Sequence, residues 1–197
     1  MDLPFSQAAA NNQQPIKEAL AGPLADARCV IEVGAGTGQH AVAFAEAFSH
    51  LRWVPTEHPE ALHRLEPRCA QFGPENLAVP MSLDLAAQRW SSVAADVVYS
   101  ANTLHIVDKA LVEGFFAGLS TLPEPVEQVF VYGPFNYGGA FTTSSNEHFD
   151  QWLRDRDARS GIRDFEWVDE LARDVGLSLA QDLAMPANNR LLHWRRG

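Results

Sequence analysis

The chain has 197 residues, of which 46% are hydrophobic and 20% charged, and its formal net charge is −10. This length and composition indicate one globular domain with a single core, and they exclude a disordered chain. Because a protein that grips a phosphate backbone needs a basic face, we expect this acidic chain to bind no nucleic acid.

The sequence predicts neither a metal site nor a membrane segment. Its two cysteines, Cys29 and Cys69, show no CxxC or Cys/His spacing typical of zinc sites. The N-terminal stretch MDLPFSQAAANNQQP lacks the basic and then apolar parts of a secretory signal. No apolar run approaches the roughly 18 residues of a membrane span. We therefore expect a cytoplasmic protein, with its oligomeric state left open.

From residue 29 onward, strand and helix patterns alternate along the chain. Residues 29–33, CVIEV, form a nearly continuous apolar run, which is typical of a strand covered on both faces. Apolar residues at helical spacing follow in 41–48, and residues 52–57 predict a second strand. Since proline cannot donate to a strand ladder, Pro55 predicts that this strand ends or becomes irregular there.

The same alternation continues in the middle of the chain. Helical spacing returns at residues 62–72, where Pro67 predicts a break. Residues 76–85 then contain a short third strand, and residues 96–102 form a fourth.

Further elements follow in the second half. An apolar helix face at 111–119 precedes a fifth strand at 126–135. Ser144 lies three residues before Glu147, which is the spacing of a capping box and predicts a helix start. Another helix is predicted after Asp164, which can cap it.

The C-terminal part predicts an antiparallel pair of strands. Gly176 stops the last helix, and strand-like runs at 178–185 and 190–195 are joined by the short turn PANN. Alternating strands and helices imply a parallel sheet with helices on both faces, closed here by a terminal hairpin. In such sheets the ligand binds at the carboxyl ends of the strands.

The glycine-rich turn in VIEVGAGTGQH is the first candidate binding site. A dinucleotide fingerprint needs G-x-G-x-x-G, but Gln39 occupies the place of the third glycine. Gly34, Gly36 and Gly38 instead follow G-x-G-x-G, with Glu32 two residues ahead. The pattern disfavours a dinucleotide, and an ordinary strand-to-helix turn is the alternative.

In this motif and in its order of elements, the chain resembles the class I S-adenosylmethionine-dependent methyltransferases over nearly its whole length. The resemblance implies one Rossmann-like α/β domain spanning residues 1–197, with a mostly parallel seven-stranded sheet, helices on both faces and an antiparallel C-terminal hairpin. It also implies S-adenosylmethionine as the cofactor. The implied cofactor-binding residues are Glu32, Gly34, Ala35, Gly36, Gly38, Glu57, Asp84, Leu85, Ser100 and Asn102.

Two acidic positions have a specific part of the cofactor assigned to them. Glu57 ends the second strand, about 20 residues past the glycines, where a carboxylate can accept both ribose hydroxyls; the alternative is an exposed loop glutamate. Asp84 stands where this fold usually places an acid near the adenine amino group, and Leu85 would offer backbone groups to the ring.

Two residues are candidates for catalysis. The segment YSANTLHI would run under the methionine moiety, and its His105 is a candidate base because imidazole titrates near neutrality. The alternative is a helix-starting histidine satisfied by the backbone. Tyr132, in YGPF, is the second candidate, or a strand residue with a satisfied hydroxyl.

Several stretches together resemble the uncharacterised methyltransferase-like 26 group, the family of domain of unknown function 938. They are SQAAANNQQPI, GTGQHA, NTLHI, YGPF, TSSNEHFD, GIRD and MPANN. That family usually has basic residues around the asparagine matching Asn12, where this chain has Asn11 and Gln13, and aspartate in place of Glu57. The resemblance implies a methyltransferase and no known substrate.

We therefore predict a methyltransferase that acts on a small-molecule acceptor, with the N-terminal segment 1–22 covering the cofactor and substrate site. The polar lining of the substrate pocket is predicted to include Asn12, Asn136, Tyr137 and Asn189. One alternative is a non-catalytic S-adenosylmethionine-binding module or partner subunit, which would retain Glu57 and the glycines. Another is a nicotinamide-dependent oxidoreductase, against which Gln39 counts.

Overall fold

The computed structural model describes residues 3–87, 89–90 and 93–197, and within them nine strands and six α-helices follow one another. The strands are β1 (Cys29–Val33), β2 (Arg52–Glu57), β3 (Met81–Ser82), β4 (Val97–Ala101), β5 (Gln128–Gly133), β6 (Phe135–Asn136), β7 (Arg163–Asp164), β8 (Leu177–Met185) and β9 (Asn189–Arg196). The helices are α1 (Gln7–Ala21), α2 (Gln39–Ala47), α3 (Leu62–Phe72), α4 (Lys109–Leu119), α5 (Ser144–Arg156) and α6 (Phe165–Asp174).

Seven strands of the described chain form one sheet in the order β3-β2-β1-β4-β5-β9-β8. The five strands from β3 to β5 run parallel, whereas β9 is antiparallel to both of its neighbours. The predicted parallel sheet with its antiparallel C-terminal hairpin is therefore confirmed. Because β1 lies between β2 and β4, the strand order reverses there, and ligands of open α/β sheets bind beside such a reversal.

Both faces of this sheet are buried, which explains the almost continuous apolar run of β1. Ile31 and Val33 pack into a core that also contains residues of α4 and α6. Val30 belongs to a second core under α1, α2 and α3. Phe44 of α2 meets Trp53 of β2 edge to face in this second core, with ring centroids 5.6 Å apart.

β2 continues through Pro55, so the prediction that it ends or becomes irregular there is wrong. The N–H of Trp53 donates to Asn76, on the β3 side, and the carbonyl of Glu57 accepts from Leu83 on that side. Since backbone groups alternate along a strand, the missing donor of Pro55 faces the same side, before β3 begins to pair. The ladder with β1 therefore loses no donor.

α3 also continues through Pro67, and the predicted break there is wrong. Pro67 lies on the exposed face of the helix, whereas Leu65 and Cys69 are buried on the opposite face. A proline in a helix interior costs about 3 kcal/mol. Packing of the buried face compensates for that cost here.

The helix starts that were predicted from capping residues need one correction. Thr143 caps α5, and its hydroxyl accepts the N–H of Asn146 at 3.3 Å. Ser144 is therefore the first helical residue of α5 and not its cap. Asp164 does precede α6, but its side chain accepts no capping hydrogen bond.

The N-terminal segment forms a helix, α1, that the apolar pattern did not indicate. Ser6 caps it, and Ile16 and Leu20 are its fully buried apolar side chains. α1 packs on α2. Its sequence, QAAANNQQPIKEALA, contains few large apolar residues and a proline, which is why no helix was predicted there.

Candidate active site

A cavity of about 440 Å³ opens at the carboxyl ends of the parallel strands, beside the reversal of strand order. Its walls come from the ends of β1 and β2, the segment after β3, the turn between β4 and α4, and α4 itself. The lining residues are Val33, Gly34, Glu57, His58, Leu83, Asp84, Leu85, Ala86, Thr103, Val107 and Leu111. This is the edge of the sheet at which the alternating elements predict a ligand.

The glycine turn closes one side of the cavity, and two of its glycines are required for different reasons. Gly34 has a φ of 73°, and a Cβ there would lie 2.4 Å from Oγ1 of Thr103, so the backbone and Thr103 are in close contact. Gly36 has a φ of 58°, and a Cβ there would have no neighbouring atom within 4 Å. It therefore needs glycine for its backbone conformation, and its surface is open to a ligand.

Glu57 is fixed against this turn. Its Oε2 accepts the backbone N–H of Gly36 at 2.7 Å, and its Oε1 accepts the N–H of His58 at 2.8 Å. Each carboxylate oxygen has a further lone pair for a hydroxyl donor. The predicted ribose ligand therefore stands beside the glycine turn in a defined orientation.

Asp84 and Leu85 form the wall that continues from β3. Oδ1 of Asp84 accepts the N–H of Ala86 at 2.8 Å, which leaves Oδ2 without a bond to the described residues. Leu83 and Leu85 are buried and contribute apolar surface. Four of the residues predicted to bind the cofactor, Gly34, Glu57, Asp84 and Leu85, thus line the same cavity.

The charge of the cavity lining limits what it can bind. Glu57, His58 and Asp84 are its ionisable residues, and the lining includes neither lysine nor arginine. A pyrophosphate would meet two carboxylates and no cation here, which costs electrostatic energy. A nucleoside without phosphate suits this lining. The carboxylates of Glu57 and Asp84 would also attract a positive charge on another part of such a ligand.

Glu32 and Ser100 lie outside the cavity lining. The buried Glu32 carboxyl accepts the indole N–H of Trp53 at 2.7 Å. Burial raises its pKa to about 8, so this side chain is protonated at neutral pH. The Ser100 hydroxyl donates to the carbonyl of Val33 at 2.8 Å. Both side chains thus bind neighbouring strands together behind the glycine turn.

Three other predicted cofactor residues contribute through their backbone. Ala35 donates its N–H to the carbonyl of Thr56 at 2.9 Å, and Gly38 donates to the carbonyl of Ala35 at 2.9 Å. Asn102 adopts a left-handed conformation with a φ of 56° and donates its N–H to the carbonyl of Tyr132. These residues shape the two turns that flank the cavity without lining it.

The predicted pocket residues Asn12, Tyr132 and Asn189 come together under α1. Burial raises the pKa of Tyr132, and side-chain hydrogen bonds with Asn12 and Asn189 oppose this rise. Oδ1 of Asn12 also accepts from Nε2 of His40 at 2.7 Å, and Tyr99 donates to Nδ1 of His40 at 3.2 Å. We call Asn12, His40, Tyr99, Tyr132 and Asn189 the α1 polar cluster.

The segment 3–22 does not line the cavity; α1 instead covers the α1 polar cluster. Gln39, which replaces the third glycine of a dinucleotide fingerprint, holds this helix in place. Its amide nitrogen donates to the carbonyl of Ser6 at 3.1 Å, and its amide oxygen accepts the N–H of Ser6. Gln39, which interrupts the dinucleotide fingerprint, therefore anchors the start of α1.

His105 lies in the turn between β4 and α4, outside the cavity lining. It is 5% exposed, and its ring meets Phe149 edge to face with centroids 5.6 Å apart. Its ring nitrogens accept or donate no hydrogen bond among the described residues. Burial, with a smaller effect of the Arg163 charge, lowers its pKa to about 4. The imidazole is therefore neutral, and it is not satisfied by the backbone.

Asn136 and Tyr137 are not brought together with the other predicted pocket residues. The Tyr137 hydroxyl donates to Oδ2 of Asp182 at 2.8 Å, and its ring stacks on Phe165. Asn136 is 8% exposed, and its Oδ1 is buried without a hydrogen-bond partner among the described residues. These two residues lie at β6 and in the loop that follows it.

The sequence interpretation missed several lining residues, of which Thr103, Val107 and Leu111 form one set. Thr103 and Val107 lie in the turn before α4, and Leu111 lies in α4, with the extended backbone of Asp108 between them. Helical spacing therefore gives no signal that links the three residues, and the turn conformation that brings them together could not be predicted from the sequence.

The strand order and the cavity beside the glycine turn define the class I methyltransferase fold, and solved structures share it. The mitomycin 7-O-methyltransferase MmcR is 19% identical with a TM-score of 0.79, covering 96% of this chain and 54% of that chain. An O-methyltransferase family protein from Burkholderia thailandensis is 17% identical with a TM-score of 0.80, covering 94% and 56%. At these identities the likeness concerns the fold.

A third similar structure is the SAH-bound form of CalO1, a methyltransferase in calicheamicin biosynthesis, which is 16% identical with a TM-score of 0.71. It covers 96% of this chain and 54% of that chain, so this chain spans about half the length of these solved relatives. The chain belongs to the family described as protein of unknown function (DUF938), which matches residues 3–196. Among the described residues, each helix falls short of the length and apolar character that crossing a bilayer requires.

Proposed function

We propose that the protein is an S-adenosylmethionine-dependent methyltransferase acting on a small-molecule acceptor. The observation that carries this proposal is the cavity itself, which combines an open glycine turn and the oriented carboxylate of Glu57 with a lining free of lysine and arginine. A nucleoside cofactor that carries a sulfonium and an ammonium, and no phosphate, is complementary to this lining in charge.

The parts of the cavity fit the parts of the nucleoside. Glu57 has lone pairs for the two ribose hydroxyls beside Gly36, and hydrogen bonds to an ionised acceptor are stronger than neutral ones. Leu83, Leu85 and Leu111 provide apolar surface for the adenine ring. Asp84 is the adjacent acceptor for the adenine amino group. The methionine end then extends along the glycine turn.

When bound, the cofactor supplies a methyl group already activated on its sulfonium. The chain's own task is therefore to orient the acceptor and exclude water. An acceptor that carries a hydroxyl or thiol must also lose a proton. We assign that proton to His105, because its buried imidazole is neutral and has a ring nitrogen that can accept it. Burial also lowers the pKa of this imidazole to about 4, which makes it a weak base in the free protein. Tyr132 is our second candidate on the acceptor side, in the α1 polar cluster.

The small-molecule acceptor is proposed on two grounds. The net charge of −10 disfavours a nucleic-acid acceptor, which stays a prediction from the sequence. The similar solved structures also include a mitomycin 7-O-methyltransferase and a methyltransferase in calicheamicin biosynthesis. Those names describe the relatives, and they suggest the acceptor class for this chain without identifying the compound.

Native mass spectrometry of the purified protein tests the assignment and does not require the acceptor to be identified first. We expect a fraction of the protein to retain S-adenosylmethionine or S-adenosylhomocysteine, and an additional bound mass would point to the acceptor. Protein that retains a nicotinamide dinucleotide instead would contradict the proposal.

A further inference from the structure

Four consecutive carbonyls of the turn between β4 and α4 are bound by a single later segment of the chain. We call residues 104–107 the His105 turn and residues 160–163 the clamp segment. The four consecutive carbonyls of the His105 turn each accept a hydrogen bond from the clamp segment. The pairs are Arg163 Nε to Leu104 at 3.1 Å, Gly161 N–H to His105 at 2.9 Å, Ser160 Oγ to Ile106 at 2.6 Å, and Arg163 Nη2 to Val107.

Arg163 is the charged member of the clamp segment, and it is buried without a carboxylate partner. Its exposure is 4%, and its guanidinium donates to the carbonyls of Leu104, Val107 and Arg159. It forms no ion pair within 4.0 Å among the described residues. Burying a cation is costly unless its donors are well satisfied, and here backbone carbonyls of the turn satisfy them.

The clamp segment is in turn fixed to α5. The buried Asp150 accepts the N–H of Ile162 at 2.7 Å and the Nε of Arg154 at 2.6 Å. Gly161 has a φ of 150°, a conformation that residues with a side chain rarely adopt, and a Cβ there would lie 2.6 Å from Nη2 of Arg154 and 2.9 Å from Oδ1 of Asp150. The segment therefore passes close to the side chains of α5.

Both ends of the His105 turn depend on the same guanidinium. Val107 lines the cavity, and His105 stands next to Gly133 at the end of β5, since a Cβ on Gly133 would lie 3.2 Å from its Nδ1. The planar fork of arginine reaches the first and the last carbonyl of the turn together, which an ammonium group on a flexible stem cannot reproduce.

We propose that Arg163 is a positioning residue that sets the His105 turn, so that Val107 forms the cavity wall and His105 is held at the end of β5. The identity of the bound cofactor rests on the proposed function, but the positioning of the turn does not. Arg163 acts through the backbone of the turn and does not line the cavity.

Arg163→Lys and Arg163→Met test this proposal in the full chain, by calorimetry with S-adenosylhomocysteine and by an NMR titration of the His105 ring. We expect about tenfold weaker binding in both variants, because lysine keeps the charge but not the fork. In Arg163→Lys, which keeps the charge that acts on His105, we also expect the pKa of His105 to rise from about 4 toward its ordinary value, because a loosened turn exposes the ring. The charges that act on Arg163 are those of Arg154, Asp150 and Asp108.

Arg156→Met is the matched control, since Arg156 is an exposed arginine of α5 whose guanidinium lies over the ring of Trp152. It should bind like wild type. A purely structural role for Arg163 would lower the melting temperature and leave unchanged both the affinity and, in Arg163→Lys, the His105 pKa, and that result would overturn the proposal. Ser160→Ala removes one clamp bond with little risk to folding, and we expect about threefold weaker binding from it.

The two proposals fail separately. Wild-type protein that binds no S-adenosylhomocysteine would contradict the proposed function, and the His105 titration would still decide the positioning role. Binding of S-adenosylhomocysteine by the wild type, together with unchanged affinity in Arg163→Lys, Arg163→Met and Ser160→Ala and an unchanged His105 pKa in Arg163→Lys, would refute the positioning role alone.

Discussion

At the scale of single residues, the site is defined by how Glu57 is held. Its carboxylate accepts one N–H from the glycine turn and one from His58, so it is oriented before any ligand binds. Its position at the end of the second strand was predictable, because chain order determines which residues reach the carboxyl edge of a parallel sheet. The contact with Gly36 could not be predicted, since it depends on the conformation of the glycine turn.

Glu57→Ala should weaken S-adenosylmethionine binding by roughly ten- to a hundredfold. A hydrogen bond to a charged group contributes about 1.5–3 kcal/mol, and 1.4 kcal/mol is a factor of ten in affinity. Glu57→Gln should lose less and Glu57→Asp little, and calorimetry measures all three. In the absence of ligand, Glu57→Ala should lower the free energy of unfolding by at most about 1 kcal/mol, because the N–H of Gly36 can donate to water instead. Wild-type affinity in Glu57→Ala would show that Glu57 is not the ribose ligand.

At the scale of elements, the strands were predicted more closely than the helix ends. β1 and β2 have the predicted bounds because buried parallel strands show almost uninterrupted apolar runs. The two proline rules failed because tertiary structure decides what a missing N–H costs: Pro55 faces an unpaired stretch, and Pro67 faces solvent. α1 was not predicted because much of its anchoring is polar, through Gln39 and His40 of α2.

The polar anchoring of α1 leads to a prediction about Asn12. Asn12→Ala removes the acceptor at 2.7 Å from Nε2 of His40, and the weaker contact of that nitrogen with the carbonyl of Ala9, at 3.2 Å, remains. We expect a loss of about 1 kcal/mol in the free energy of unfolding, measured by urea denaturation. Asn11→Ala, on the exposed face of the same helix, is the control and should change stability by less than about 0.5 kcal/mol. Equal effects of the two substitutions would contradict the anchoring role.

At the scale of the whole molecule, buried ionisable groups determine how stability depends on pH. Burial lowers the pKa of His40, His105 and His193 to about 4, whereas it raises the pKa of Glu32 to about 8. Below their ordinary pKa of about 6.5, these histidines bind more protons in the unfolded chain than in the folded protein. Their contribution to the free energy of unfolding is therefore present above pH 6.5 and is lost as the pH falls toward 4. Above about pH 4.5, Glu32 binds more protons in the folded protein than in the unfolded chain. The contribution of Glu32 to the free energy of unfolding is therefore lost as the pH rises through 8.

The free energy of unfolding should therefore peak near pH 6.5 and fall on both sides, by about 1.4 kcal/mol per pH unit above the peak where Glu32 acts alone. Glu32→Gln keeps the acceptor for Trp53 and carries no charge, so it should flatten the alkaline side and exceed wild-type stability at pH 8. Urea denaturation between pH 5 and pH 8 measures both curves. A wild-type stability that is constant from pH 6.5 to pH 8 would show that Glu32 is not buried in its protonated form.

The fold of the whole molecule followed from the sequence, whereas the acceptor side did not. The glycine spacing and the element order are local properties of the chain and identified the fold and the cofactor cavity. The predicted acceptor residues Asn12, Tyr132 and Asn189 belong to α1, β5 and β9, which are distant in sequence. Tyr137, also predicted for the pocket, is hydrogen-bonded to Asp182 instead. The cytoplasmic location and the link to the methyltransferase-like 26 group stay predictions.

The central claim is that the cavity between the glycine turn and Glu57 binds an S-adenosyl nucleoside, and titration calorimetry of the wild-type protein tests it most directly. We expect saturable binding of S-adenosylmethionine and S-adenosylhomocysteine at one site, and no binding of NAD or NADP. Tight binding of NAD without binding of either S-adenosyl compound would contradict the account.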